Sequence, residues 1–97
     1  MLAALCRIDM RFPGCSSLKE KRHVLKTLTA SLRAKFNVAV AEVDHQDLWQ
    51  RATIAVSAVA GEAFQLRKVV HQVERHIDTF PAVEVIDVHV SLHGPDD

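Results

Sequence analysis

An α+β fold of the ferredoxin-like type is predicted by three observations. Four segments alternate apolar and polar residues every second position, two others repeat apolar residues at helical spacing, and the six follow one another as strand, helix, strand, strand, helix, strand. That order is the split βαββαβ arrangement. Right-handed crossovers then give a four-stranded antiparallel sheet in the order 4-1-3-2 with two helices on one face. The 97 residues, 48% hydrophobic and 25% charged, describe one ordered domain over residues 1–97. A chain of this size does not enclose a large cavity, so any site is expected at the surface or at a subunit boundary.

In residues 2–12 (LAALCRIDMRF), Ala4, Cys6, Ile8, Met10 and Phe12 fall on one side and Leu5, Arg7, Asp9 and Arg11 on the other, as in a strand packed on one face. PGCSS breaks the pattern. Ser17 followed by Glu20 has capping-box spacing, so a helix is expected from about Leu18 to Lys35, burying Leu18, Leu25, Leu28 and Leu32 and turning Lys19, Arg22, Lys26 and Arg33 outward. NVAVAEV (Asn37 to Val43) and ATIAVSAVA (Ala52 to Ala60) read as the second and third strands, joined by DHQDLWQR. After Gly61, a second helix from Glu62 to about Thr79 repeats Leu66, Val69, Val70, Val73 and Ile77, and Phe80-Pro81 ends it. The last strand, Glu84 to Leu92, sets Ile86, Val88, Val90 and Leu92 against Val85, Asp87, His89 and Ser91. The open face is therefore expected to carry Leu5, Arg7, Asp9, Arg11, Thr53, Ala55, Ser57, Val59, Val85, Asp87 and His89. Counted with Ala39, Ala41 and Val43 of the edge strand, this face is about half apolar and suits self-association into a homodimer.

No apolar run approaches the roughly 20 residues of a membrane span, and MLAALCRIDMR is too soon interrupted by charge for a signal sequence, so a cytoplasmic protein without a membrane partner is expected. Cys6 and Cys15 are then expected as free thiols. The 12 basic and 12 acidic residues cancel, but unevenly: residues 1–35 hold eight Lys or Arg against Asp9 and Glu20, and the remainder is correspondingly acidic. The arrangement of faces matters more than the total.

The basic stretch SLKEKRHVLK makes Lys19, Lys21, Arg22 and Lys26 the candidates for an anionic partner such as RNA, since a helix start adds open backbone donors and a positive dipole end. A solvated helix face is the plainer reading. The outward residues of the central strands hold no aromatic and the chain has no tyrosine, which disfavours the base-stacking sheet that this fold commonly uses for single-stranded RNA. DHQD offers oxygen and nitrogen ligands, but residues this close to one turn do not surround an ion; no metal and no cofactor are expected. Asp44, His45, Asp47, Trp49 and Arg51 are instead candidates for protein contact or for bracing the hairpin. Catalysis would have to use His45 with a neighbouring Asp, or Cys15 at the helix start. The three glycines are isolated, and no catalytic residue set is assigned.

SLKEKRHVLKTL (Ser17 to Leu28), LRAKFNVAVAEVD (Leu32 to Asp44) and HQDLWQRA (His45 to Ala52) resemble the YlxP-like family of small bacterial proteins, a domain family of unknown function. The resemblance covers nearly the whole chain. It implies a ferredoxin-like domain encoded near transcription–translation and ribosome-maturation factors, and transfers no catalytic set. The expectation is a noncatalytic accessory module contacting structured RNA or a ribosomal component through its first helix, with a protein-interaction or homodimerisation module, and a small enzyme, as alternatives.

Overall fold

The computed structural model describes residues 1–96 and contains β1 (Leu2–Arg11), α1 (Leu18–Lys35), β2 (Ala39–Asp44), β3 (Arg51–Ala60), α2 (Ala63–Asp78) and β4 (Glu84–His93). The strands form one antiparallel sheet in the order β2-β3-β1-β4, with both helices on the same face, as the element order predicts.

The alternation in β1 fixes which face is covered. Ala4, Cys6, Ile8, Met10 and Phe12 are buried, and opposite them on β3 so are Ala52, Ile54, Val56 and Ala58. Leu25, Leu28 and Leu32 of α1 and Leu66, Val70, Val73 and Ile77 of α2 complete this core. Each such side chain contributes about 1.5–3 kcal/mol by leaving water, so the helices are held chiefly by their apolar stripes. Ser17 caps α1, its hydroxyl accepting from the Glu20 N–H at 3.2 Å. Both cysteines are free thiols buried in the core.

β4 departs from the expected phase. Its register against β1 shifts between Asp9 and Met10, so that Asp9 faces Asp87 but Met10 faces Val85. One extra residue reverses the alternation. Val85, expected on the open face, therefore packs against the core, whereas Ile86, on the opposite phase, is 44% exposed. Val90 lies opposite Cys6 on the helix side but at the sheet's edge, where it too is exposed. A second register shift, between Glu42 and Asp44 in β2, begins the turn into the β2–β3 connection. Among the described residues no helix is long and apolar enough to cross a membrane.

Candidate nucleic-acid interface

Lys21 sits in the first turns of α1, among the cations that the sequence offers for an external anion. The structure turns it inward. Its side chain is fully buried, and its amine lies 2.9 Å from the His45 carbonyl, 3.1 Å from that of Arg51, 3.4 Å from that of Gln46 and 3.4 Å from Glu42 Oε2. An ammonium has three protons and strong hydration, so it is buried only where acceptors replace water, and here the backbone of the β2–β3 connection supplies them. Lys21 is thus the brace of that connection, not part of the anion-facing surface.

The helix start is occupied as well. Besides Ser17 on the Glu20 N–H, the Glu20 carboxylate receives the Ser16 N–H at 2.9 Å and the Ser16 hydroxyl at 3.0 Å. These bonds hold the Glu20 carboxyl below the usual carboxylate range. A carboxylate of the chain itself therefore stands where an external anion was expected, and the positive surface lies elsewhere, along the flank of α1.

Lys19, Arg22, Lys26 and Arg33 follow one another at spacings of three, four and seven residues and are all exposed. At about 1.5 Å rise per residue, the stripe is about 21 Å long. Arg22, Lys26 and Arg33, with Leu25 and Thr29, line a groove of about 420 Å³ between α1 and the edge strand β2. Arg33 Nη2 also donates to the Val40 carbonyl at 2.8 Å, covering part of that edge. One carboxylate, Glu42, lines the groove, and it is the one that Lys21 engages from within. Lys19, Arg22 and Lys26 form no salt bridge among the described residues. Arg33 was placed on the outward face from sequence but not counted among the candidates; its position on the Arg22–Lys26 stripe is the signal that identifies it.

The connection from Asp44 to Arg51 forms a knuckle at one end of this groove. His45 adopts a positive φ of 60°, which few residues other than glycine occupy readily. It is held there by its N–H to Asp44 Oδ1 at 2.8 Å, by Lys21 on its carbonyl, and by its Nδ1 at 2.9 Å from the Thr53 hydroxyl. The Thr53 hydroxyl donates to Asp9 Oδ1 at 2.6 Å, so its lone pair is left to accept from an Nδ1–H of His45. Thr53, expected on the open face, is consequently only 2% exposed. His45 belongs to a hydrogen-bonded brace; Asp44 caps the turn. Phe12 N–H to the Gln50 carbonyl at 2.9 Å and Gln50 Nε2 to the Cys15 carbonyl at 3.4 Å fasten the other side. Leu48 and Trp49, each half exposed, project from this fastened backbone. With Asp47, Gln50 and Arg51 they line an open hollow of about 340 Å³, and the buried Nε–H of Arg51 meets no acceptor among the described residues.

Cys15, the only thiol at the helix start, is buried, and burial, with Glu20 beside it, pushes its pKa up. Lys21 opposes this shift without reversing it, so the neutral thiol is favoured over the thiolate. No group of three or more His, Cys, Asp or Glu able to hold a metal occurs among the described residues. His76 lies partly buried between the helices, with Nε2 2.8 Å from the Ser31 hydroxyl and its ring against Phe36 and Phe80. On the uncovered sheet face Arg11 pairs with Glu84 at 3.9 Å, both side chains being exposed, while Leu5 and Val59 stand open diagonally across β1 and β3.

Residues 3–90 match the family described as "Protein of unknown function (DUF503)". The chain belongs to that family. It is 43% identical over 68 residues to the uncharacterized protein YlxP of Bacillus subtilis (strain 168), covering 70% of this chain and 74% of that protein. Among solved structures, the cofactor-independent oxygenase SnoaB of Streptomyces nogalater is similar with a TM-score of 0.54 at 10% identity, covering 97% of this chain and 93% of that one. The de novo designed protein Foldit4 has a TM-score of 0.52 at 14% identity, covering 95% and 97%. Both likenesses concern the fold alone.

Proposed function

We propose that this protein is a noncatalytic intracellular module that holds structured RNA, free or within a ribonucleoprotein, against the groove between α1 and β2. The observation that carries the reading is the charge balance of that groove. Arg22, Lys26 and Arg33 line it, and its one carboxylate is already paired with buried Lys21. The pairing leaves a positive stripe about 21 Å long, with Lys19 at one end and Arg33 at the other, facing solvent beside a rigid sheet edge. Phosphate oxygens suit this surface because arginine forks them and lysine adds charge at range. Contact of this kind selects shape and backbone more than sequence.

A salt titration of binding to a structured RNA tests it. Each phosphate neutralised adds about −0.7 to −0.9 to the slope of log K against log salt. The double variant Arg22→Gln/Lys26→Gln should therefore lower the magnitude of the slope by about 1.4–1.8 and weaken binding at low salt. The same changes on α2, Arg67→Gln/Lys68→Gln, should leave both quantities in place. Equal effects from the two pairs, or a wild-type slope near zero, would remove the proposal.

A second reading, a homodimer through the uncovered sheet face, is favoured by Leu5 at 50% and Val59 at 72% exposure on adjacent strands of that face. The two readings are compatible, because the α1 groove lies on the helix side. Light scattering should then report a dimer that Val59→Glu converts to a monomer; a monomeric wild type at high concentration would exclude it.

A further inference from the structure

We infer that the β2–β3 knuckle is a base-stacking site that receives one unpaired nucleotide of the same RNA whose phosphates lie along α1. The inference rests on the RNA-binding reading above and makes it more specific, requiring an unpaired base next to the helical or folded part of the ligand.

Three observations carry it. Trp49 is half exposed on a connection that Lys21, Gln50 and the His45–Thr53–Asp9 chain hold in place, so the ring is presented by a fixed backbone and not by a floppy loop. A preorganised aromatic face avoids the ordering cost that weakens stacking on mobile segments. Second, the knuckle adjoins the cationic groove. Lys21, whose amine reaches the knuckle carbonyls, directly precedes Arg22, and Glu42 belongs both to the groove wall and to the Lys21 pair. A chain whose phosphates follow Arg33, Lys26 and Arg22 is thereby led to Trp49.

Third, the two regions differ in charge in the way that a nucleotide does. Asp44 and Asp47 make the knuckle unfavourable for phosphate, whereas a carboxylate accepts readily from the amino groups of a base. The base therefore belongs in the knuckle and the phosphates on α1. An anionic peptide would meet Asp44 and Asp47 with the wrong sign. This arrangement also accounts for a sheet that has no stacking aromatics: the aromatic stands beside the sheet, on the β2–β3 connection.

Trp49 is the only tryptophan and there is no tyrosine, so the protein's own fluorescence reports this site without a label. The probes are an RNA stem closed by a loop of unpaired adenines and the same stem as a blunt, fully paired duplex. The loop RNA should quench Trp49 and the duplex should not. By polarisation of labelled RNA, Trp49→Ala should weaken loop binding roughly 5- to 150-fold, the range expected for one base–aromatic stack, while duplex binding stays constant. Trp49→Phe, which keeps a ring, should recover part of the loss, and unchanged thermal unfolding of both variants shows that the fold is intact.

Equal binding of loop and duplex without a fluorescence change overturns the stacking site and leaves the α1 groove reading in place. Binding of neither RNA overturns both. A Trp49 signal that depends on protein concentration and not on RNA assigns the knuckle to contact between copies of the chain, and likewise overturns the inference.

Discussion

Replacing Lys21 by methionine separates its role as a brace from a role on the surface. Methionine keeps the unbranched apolar stem of the side chain as far as Cε but removes the terminal nitrogen, with its charge and all three donors. In the native protein the amine satisfies the carbonyls of His45, Gln46 and Arg51 together with Glu42. Removing one partner of a buried ion pair costs about 3–5 kcal/mol. Glu42 keeps 28% of its side-chain surface and the turn carbonyls can regain water if the knuckle shifts, so the lower end, about 3 kcal/mol, is expected. In a domain of this size that corresponds to a fall in Tm of about 12–24 °C. Urea unfolding followed by circular dichroism gives the global loss, and Trp49 fluorescence gives the state of the knuckle. Because the lost bonds concentrate there, the fluorescence transition should precede the circular dichroism transition in the variant and coincide with it in the wild type. Lys19→Met, at an exposed neighbour, should change stability by no more than about 0.5 kcal/mol. A Lys21→Met protein within about 1 kcal/mol of wild type, with coincident transitions, would refute the claim that the amine holds the connection together.

Three further outcomes follow from the same contacts. Thr53→Val leaves Asp9 and His45 without their shared hydroxyl and should cost about 1–3 kcal/mol in urea unfolding, with Thr53→Ser recovering most of it. Burial, and then Lys35, lowers the His76 pKa below its ordinary value of 6.5, so the unfolded chain takes up this proton more readily than the native one. Its contribution is complete above pH 6.5 and is lost as the pH falls toward the depressed native value. The decline in Tm over that window should therefore be smaller in His76→Gln. The thiols of Cys6 and Cys15 are pushed up chiefly by burial and, more weakly, by Glu74 and Glu20 respectively, so both should resist a maleimide until urea unfolds the protein. Labelling of native Cys15 as fast as a small free thiol would contradict its placement in the core.

The fold was legible because period-two and helical patterns are local, and each apolar stripe needs only one partner surface. The site was legible in part. Lys19, Arg22 and Lys26 face solvent as their helical positions predict, but Lys21 looks the same in sequence and is buried, since its acceptors come from residues 42 to 51, far along the chain. The capping spacing of Ser17 and Glu20 was visible; that Glu20 reaches Ser16, and so takes the place of an external anion, depends on the path of the PGCSS turn. Val85 was assigned to the wrong face because a single extra residue in β4 leaves almost no compositional trace. Thr53 was buried by His45 from a neighbouring strand's turn, a contact that no alternation pattern within β3 encodes.

Three of the four atoms that receive the Lys21 amine are peptide oxygens, which every amino acid supplies alike. The path of the chain from Gln46 to Trp49 is thus specified with little reference to which side chains it bears. Exchanging those side chains would redraw what the knuckle recognises and leave its shape in place, so the position behaves as a graftable fingertip: libraries varied there should yield proteins of near-native stability with new preferences, whereas variation at position 21 should yield destabilised ones.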